Sequence, residues 1–317
     1  MLATMMDRPL LISSLLWHAE NVFADRVGVS CDAGRGDREF TYRDLGAATR
    51  RFAGAFDDLG IGFGTRVATL AWNTFGHLVA YYAVPRPGAI LHTVNHRVSP
   101  DHIAYTMDKA EDEVVLIDAD LLPVLTEVLP RLPRIRHVVV FGTLDGLDRA
   151  LSATVTWWSF DRLLHDAEPI EEFPEFDETT AASICFTSGT TGLPKGVVYS
   201  HRSTVLHALA ISASGGVAIE GSRSYLLATQ MSHVHSWGGV PHAGGCCRAP
   251  VSSFPGRTPR RPSCCGSRRS RPPRTWSSVH RPLPRSCASG STPSPPATTS
   301  GACTPCGWAV RYRRRGW

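Results

Sequence analysis

The sequence predicts an α/β fold, parallel-sheet layers covered by helices and incomplete in a second unit, with a C-terminal quarter that reads as disordered. Three observations predict it. Short apolar runs alternate with helical patterns from Asp44 to Phe141, glycines, prolines and acidic residues punctuate them, and the composition changes abruptly after Ala243. Strands that alternate with helices pair in parallel, and strands that are apolar throughout are buried on both faces. A chain of 317 residues with a hydrophobic fraction of 43% can bury a substantial core.

Leu11, Ile12, Leu15, Leu16, Ala19, Val22 and Phe23 recur at helical spacing, so the chain opens with an amphipathic helix. Val27 to Cys31 and Arg38 to Tyr42 read as a short hairpin around a Gly/Asp turn. A helix then runs to Leu59, followed by strand Val67 to Trp72, helix His77 to Val84, strand Ala89 to Val94 and a helix from Ser99. Strand Val114 to Ile117, helix Leu121 to Leu129 and strand His137 to Phe141 continue the series. Gly60-Ile-Gly62-Phe-Gly64 has the glycines of a dinucleotide loop, but such a loop follows a strand and opens a helix. This one follows a helix and precedes a strand, so it reads as a helix stop. The acidic, Pro-containing stretch Glu168 to Glu178 suits an exposed connection into a second α/β unit that starts with Ala182-Ser-Ile-Cys-Phe-Thr187. The expected organisation is a first subdomain over 1–180, the start of a second with a phosphate loop over 181–243, and an Arg/Ser/Pro/Cys-rich segment over 244–317.

The formal charge of +5 averages two unlike segments: 19 Lys+Arg against 28 Asp+Glu up to Ala243, and 14 Arg with no acidic residue beyond it. Of nine cysteines only Cys31 and Cys185 precede Gly245, so the main body reads as a reduced, cytoplasmic protein. No apolar run approaches the roughly 18 residues of a membrane span. Leu10 to Trp17 is the one candidate targeting segment, and Asp7, Ser13, Ser14 and the lack of a small-residue cleavage pattern count against it.

Thr187-Ser-Gly-Thr-Thr-Gly-Leu-Pro-Lys-Gly196 joins an apolar strand to a second one, Val197 to Tyr199. Its glycines let the backbone approach phosphate oxygens, its hydroxyls donate hydrogen bonds or reach a metal, and Lys195 supplies compact positive charge. No Ser or Thr follows the lysine, which excludes a Walker A loop. Composition alone also allows a Gly/Thr-rich hairpin without a ligand. Ser188 lacks the Gly-x-Ser-x-Gly frame of a hydrolase nucleophile.

The string Phe186-Thr-Ser-Gly-Thr-Thr-Gly-Leu-Pro-Lys-Gly-Val resembles the signature of the acyl-activating (adenylate-forming, AMP-binding) superfamily of acyl-CoA synthetases, luciferases and peptide-synthetase adenylation domains. Leu70 to Val84, Gly88 to Asn95, Leu193 to Arg202 and Met231-Ser-His-Val-His-Ser-Trp237 resemble bacterial medium- and long-chain fatty acyl-CoA synthetases, and the resemblance runs from about Met5 to Ala243. It implies a ligase that joins a carboxylate to ATP and passes the acyl group to coenzyme A, with Mg2+ as cofactor and a homodimer as an allowed assembly. By position in the motif, Thr187, Ser188, Gly189, Thr190, Thr191 and Gly192 take the ATP phosphates, with the Thr187 hydroxyl nearest magnesium. Lys195 and His233 become the catalytic residues, and His233 and Trp237 flank the acyl pocket. For Trp237 a plain core role stays open, and for His233 and His235 a metal site lacks a third ligand. Ser232 and His96 depart from the family's usual residues, an aromatic and a proline.

From Gly244 to Trp317 there are 14 Arg, 12 Ser, 12 Pro and 7 Cys with a single Leu, and prolines interrupt every candidate element. Three readings compete. A basic, disordered nucleic-acid-binding tail would make the protein a non-catalytic binder. Zinc has ligand spacing only at Cys303-Thr-Pro-Cys306. Translation of a G/C-rich gene out of frame explains the composition best, and implies a truncated, inactive enzyme with nucleic acid as an unneeded partner. In that reading apolar residues such as Val205, Leu206, Leu209, Leu226 and Leu227 lose packing partners.

Overall fold

Alternation along single strands decides the layering. The computed structural model describes residues 5, 7–32, 36–142, 144, 155–187, 192–213, 225–238, 241–242 and 251–253. Strands β3 (Arg66–Leu70), β5 (Val114–Asp118) and β6 (His137–Phe141) pair in parallel. Val67, Val114, Leu116, Val139 and Phe141 pack into one core, whereas Ala68, Leu70, Val115, Ile117, Val138 and Val140 pack into another. Successive side chains point to opposite faces, so an unbroken apolar strand needs cover on both. The first face is covered by α1 (Ile12–Val22), α2 (Tyr42–Gly54), α3 (Phe75–Ala83) and α6 (Phe160–Asp166). The second is covered by α4 (Pro100–Ala110) and α5 (Leu122–Val128).

Local chemistry fixes where the helices begin. Thr41 and Asp44 form a capping box at α2: Thr41 Oγ1 accepts from the Asp44 amide at 3.1 Å, and the Thr41 amide donates to Asp44 Oδ2 at 2.8 Å. Those backbone and hydroxyl donors hold the Asp44 carboxyl below its ordinary range. Ser99 caps α4 with Pro100 in its first turn. The Gly60–Gly64 segment does follow a helix and precede a strand, and Gly60 takes a left-handed φ of 60° that a side chain resists. Where α1 meets α2, a Cβ on Gly46 would fall 1.6 Å from Glu20 Oε2, so a side chain there would swing the Glu20 carboxylate away from Arg50.

The main sheet has seven strands in the order β7-β6-β5-β3-β4-β8-β9, adding β4 (Ile90–Thr93), β7 (Thr156–Ser159), β8 (Ala181–Thr187) and β9 (Lys195–Ser200). All pairs are parallel except β8 with β9, which form an antiparallel hairpin. β7 and α6 were not expected, because a four-residue edge strand leaves little periodicity to read. The sheet crosses position 180: β8 continues from β4, so the boundary drawn between 1–180 and 181–243 is not a sheet boundary. α7 (His201–Ser212) follows β9 and buries Val205 and Ala208, while Leu206 and Leu209 stay 43% and 50% exposed.

A second sheet has the order β10-β11-β1-β2, from β10 (Tyr225–Leu227), β11 (Val251–Ser253), β1 (Val27–Asp32) and β2 (Gly36–Thr41). β1 and β2 are the expected antiparallel hairpin. β11 corrects the expectation that 244–317 carries no regular element. Val251–Ser253 pairs in parallel with both β1 and β10, and a ladder between two open edges needs only backbone groups, whatever the composition. The other residues of 244–317, including Cys303 and Cys306, lie outside the described ones. No described helix is long and apolar enough to cross a membrane.

Candidate active site

In a parallel sheet the carboxyl ends of the strands point one way and the loops that leave them can converge on a ligand. Three such ends meet here: those of β3, β4 and β8. Thr187 closes β8 and pairs with Lys195, the first residue of β9, so the two stand opposite each other at the mouth of the Gly/Thr-rich loop. The Thr187 hydroxyl reaches toward the Lys195 carbonyl at 3.5 Å, and both residues are exposed. Lys195 makes no ion pair among the described residues, so its ammonium is available to an anion. Gly192 has a φ of 103° and nothing within 4 Å of where a Cβ would stand, which makes the loop's need for glycine conformational rather than steric. Ser188, Gly189, Thr190 and Thr191 lie outside the described residues.

The segment 228–237 folds across the same ends. Asn73, just beyond β3 and 5% exposed, holds it with three bonds: its amide donates to the Leu227 carbonyl at 3.0 Å and the Thr229 carbonyl at 2.8 Å, and its carbonyl accepts from the Met231 amide at 2.7 Å. Tyr81 donates its phenol to the Met231 carbonyl. Thr93, at the end of β4, donates to the Ser232 carbonyl at 3.2 Å, and the Cys185 thiol of β8 faces the same carbonyl at 3.9 Å. No role was assigned to Asn73 from the sequence, although it lies inside the Leu70 to Val84 stretch. A polar residue directly after a buried strand, at its carboxyl end, is the signal that would have marked it.

This anchoring presents His233 at the N-cap of the short helix α8 (Val234–Trp237). Its Nδ1 lies 3.2 Å from the His235 amide and 3.0 Å from His235 Nδ1. With Nδ1 accepting, a neutral ring carries its proton on Nε2. Desolvation, and secondarily the neighbouring His235, lowers its pKa, which favours the neutral ring. Among the described residues no group of three His, Cys, Asp or Glu could hold a metal by itself.

Trp237 is 2% exposed, with its ring 5.2 Å from Tyr199 and 6.2 Å from Tyr81. Those contacts match the core alternative. His96, beside the segment, and Ser232, within it, are buried at 8% and 4% exposure. Gln230 donates to His96 Nε2 at 3.2 Å, the His96 ring meets Trp72 edge-on at 4.2 Å, and burial lowers the His96 pKa to about 4.

The profile of the AMP-binding enzyme family matches residues 16–279. That range runs past Ala243, where the resemblance was expected to stop. The chain is 37% identical over 244 residues to a 3-methylmercaptopropionyl-CoA ligase of Ruegeria pomeroyi, covering 77% of this chain and 44% of the relative. It is 40% identical over 237 residues to a long-chain-fatty-acid–CoA ligase of Thermus thermophilus, covering 74% and 41%. The chain therefore spans less than half the length of the curated relatives it matches. A crystal structure of an anthranilate CoA ligase with anthranoyl-AMP superposes with a TM-score of 0.67 at 22% identity, over 79% of this chain and 46% of that one, which speaks for the fold. With the profile covering most of the sequence and the loop, sheet and relatives in agreement, the chain belongs to the AMP-binding enzyme family.

Proposed function

We propose that the protein is an ATP-dependent fatty acid–CoA ligase of the AMP-forming type, acting in the cytoplasm. The observation that carries this reading is the pairing of Thr187 with Lys195 across the mouth of a Gly/Thr-rich loop at the carboxyl end of β8. The chemical difficulty is charge, because a carboxylate must approach the α-phosphorus of a polyanion. A carboxylate oxygen bonds to that phosphorus and the bond to pyrophosphate breaks, with pyrophosphate leaving on its electron pair. The coenzyme A thiol then adds to the acyl carbon, loses its proton, and displaces AMP.

Loop amides and the Lys195 ammonium offset negative charge on the phosphates, where preorganised donors act without reorganisation. His233, exposed within the 228–237 segment and with its proton on Nε2, would donate that proton to the carboxylate and orient it. Magnesium, when bound, supplies further counter-charge, and Thr187 Oγ1 would be its protein ligand. A single hydroxyl beside phosphates and waters is a donor set that magnesium accepts. Trp237 bounds the acyl pocket from the core side, and neighbouring His96 and Ser232 bear on chain-length preference.

Residues 244–317 are, in this reading, mostly out of frame. Composition supports it, as do relatives aligned over only 244 and 237 residues of the 317, although the family profile reaches residue 279. The test is two-part: the gene is resequenced around codons 238 to 250, and fatty-acid-dependent ATP–pyrophosphate exchange is measured on the 317-residue chain and on a frame-restored protein. Exchange in the restored protein alone supports both claims. Exchange in neither refutes the ligase reading, equal exchange in both refutes the claim that the altered segment disables the enzyme, and an unchanged gene sequence refutes the frame reading.

A further inference from the structure

Arg86 lies in the turn between α3 and β4, at the amino end of the sheet and therefore opposite the Thr187–Lys195 mouth. It is 6% exposed, its Nε is buried without a hydrogen-bond partner, and it makes no ion pair among the described residues. Its guanidinium stacks over Phe173 with Cζ 4.1 Å from the ring centroid. The nearest acids are engaged elsewhere: Arg50 binds Glu20 at 2.7 Å and approaches Glu171 at 3.6 Å. Burial lowers the Arg86 pKa only to about 10, so the charge remains. Glu20 and Glu171 attract the Arg86 charge without contacting it, so the buried guanidinium lacks a direct partner, and its planar fork matches a carboxylate in a two-point grip.

Arg86 faces a groove of about 770 Å3 between α1, α2 and the 171–175 connector. That volume lies within the range of roughly 300–1,000 Å3 that holds small molecules. Trp17, 62% exposed, and Leu11 give the groove an apolar wall. Arg8, Arg43 and Arg50 line it with Arg86 against Glu20, Glu171 and Glu175, a balance of one positive charge that suits a single negative charge better than a phosphate dianion.

We propose that this groove binds a small amphiphilic monocarboxylate, its carboxylate on the Arg86 guanidinium and its apolar body along Trp17 and Leu11. The site is separate from the acyl pocket and does not depend on the ligase reading.

The test is calorimetric titration of the full chain with sodium octanoate at low ionic strength, with inorganic phosphate as competitor. Arg86→Gln should weaken octanoate by about tenfold or more, because the charged partner is gone. Arg86→Lys, which keeps the charge and loses the fork, should fall between the two. Glu175→Gln, on the exposed connector, does not endanger folding and should tighten binding about twofold to threefold by removing a like charge. Phosphate should not displace octanoate. The proposal is overturned if octanoate shows no saturable binding, if folded Arg86 variants and Glu175→Gln bind as the unaltered chain does, or if phosphate competes at equal concentration.

Discussion

Asn73→Ala is the substitution that most directly probes how the sheet holds the site. Two of the three bonds it removes are buried, to the Leu227 carbonyl and from the Met231 amide, and the third, to Thr229, is partly buried. Each buried group left without a partner costs about 1–3 kcal/mol, so the loss should be roughly 2–5 kcal/mol, with water offsetting part of the third bond. Asn73→Asp is no rescue, because its second oxygen would face the Leu227 and Thr229 carbonyls. Urea unfolding followed by tryptophan fluorescence measures the change, with Asn95→Ala as control. Asn95 is exposed and, among the described residues, its side chain accepts only from the Arg97 amide at 3.0 Å, so that variant should stay within about 1 kcal/mol. A loss at Asn73 no larger than at Asn95 would refute the claim that Asn73 anchors the His233 segment.

Stability should fall on acidification. Burial lowers His77, His96, His201 and His242 from 6.5 to about 4, so the folded state keeps them neutral where the unfolded chain takes up protons. Their contribution is full above 6.5 and is lost as pH falls toward 4, at about 1.4 kcal/mol per pH unit for each. Asp112, raised by burial beside His92, acts in the opposite sense, its contribution present below 3.8 and lost as pH rises through its folded value. A urea midpoint that does not move between about pH 7 and about pH 5 would contradict the histidine burial. Thr41→Ala removes the α2 capping box and should cost about 1 kcal/mol in the same unfolding assay, and no change would count against the cap. Gly192→Ala forces a side chain into a positive φ at an open position, so it should slow exchange in the frame-restored protein by about tenfold while leaving its melting temperature nearly unchanged. An unaffected rate would show that the loop does not need that backbone shape.

The layering was legible in the sequence because β3, β5 and β6 are apolar on both faces, and the Gly/Thr-rich connection between β8 and β9 because glycines, hydroxyls and a lysine seldom cluster without reason. The helix stop at Gly60 followed from order along the chain. Partners distant in sequence were not legible. Nothing local in Val251–Ser253 announces that it pairs with Val29 and Ser30, since a backbone ladder leaves no side-chain signature. Asn73 reads as one more loop residue until Met231 is placed beside it. The continuity of β4 with β8 across an acidic connector was hidden for the same reason, because composition marks the connector and says nothing of which strands lie next to each other. Trp237 shows how position alone leaves a role open: its sequence context points to a pocket wall, and its burial against Tyr199 and Tyr81 also suits the core alternative.

The central claim is that the β8–β9 loop receives the ATP phosphates with Lys195 as its counter-charge. Equilibrium dialysis of labelled ATP with magnesium against the 317-residue chain tests it without requiring turnover. The account predicts saturable binding that weakens about tenfold or more in Lys195→Ala and is unaltered in the distant Arg86→Gln. Binding of equal strength in Lys195→Ala and the unaltered chain would contradict it.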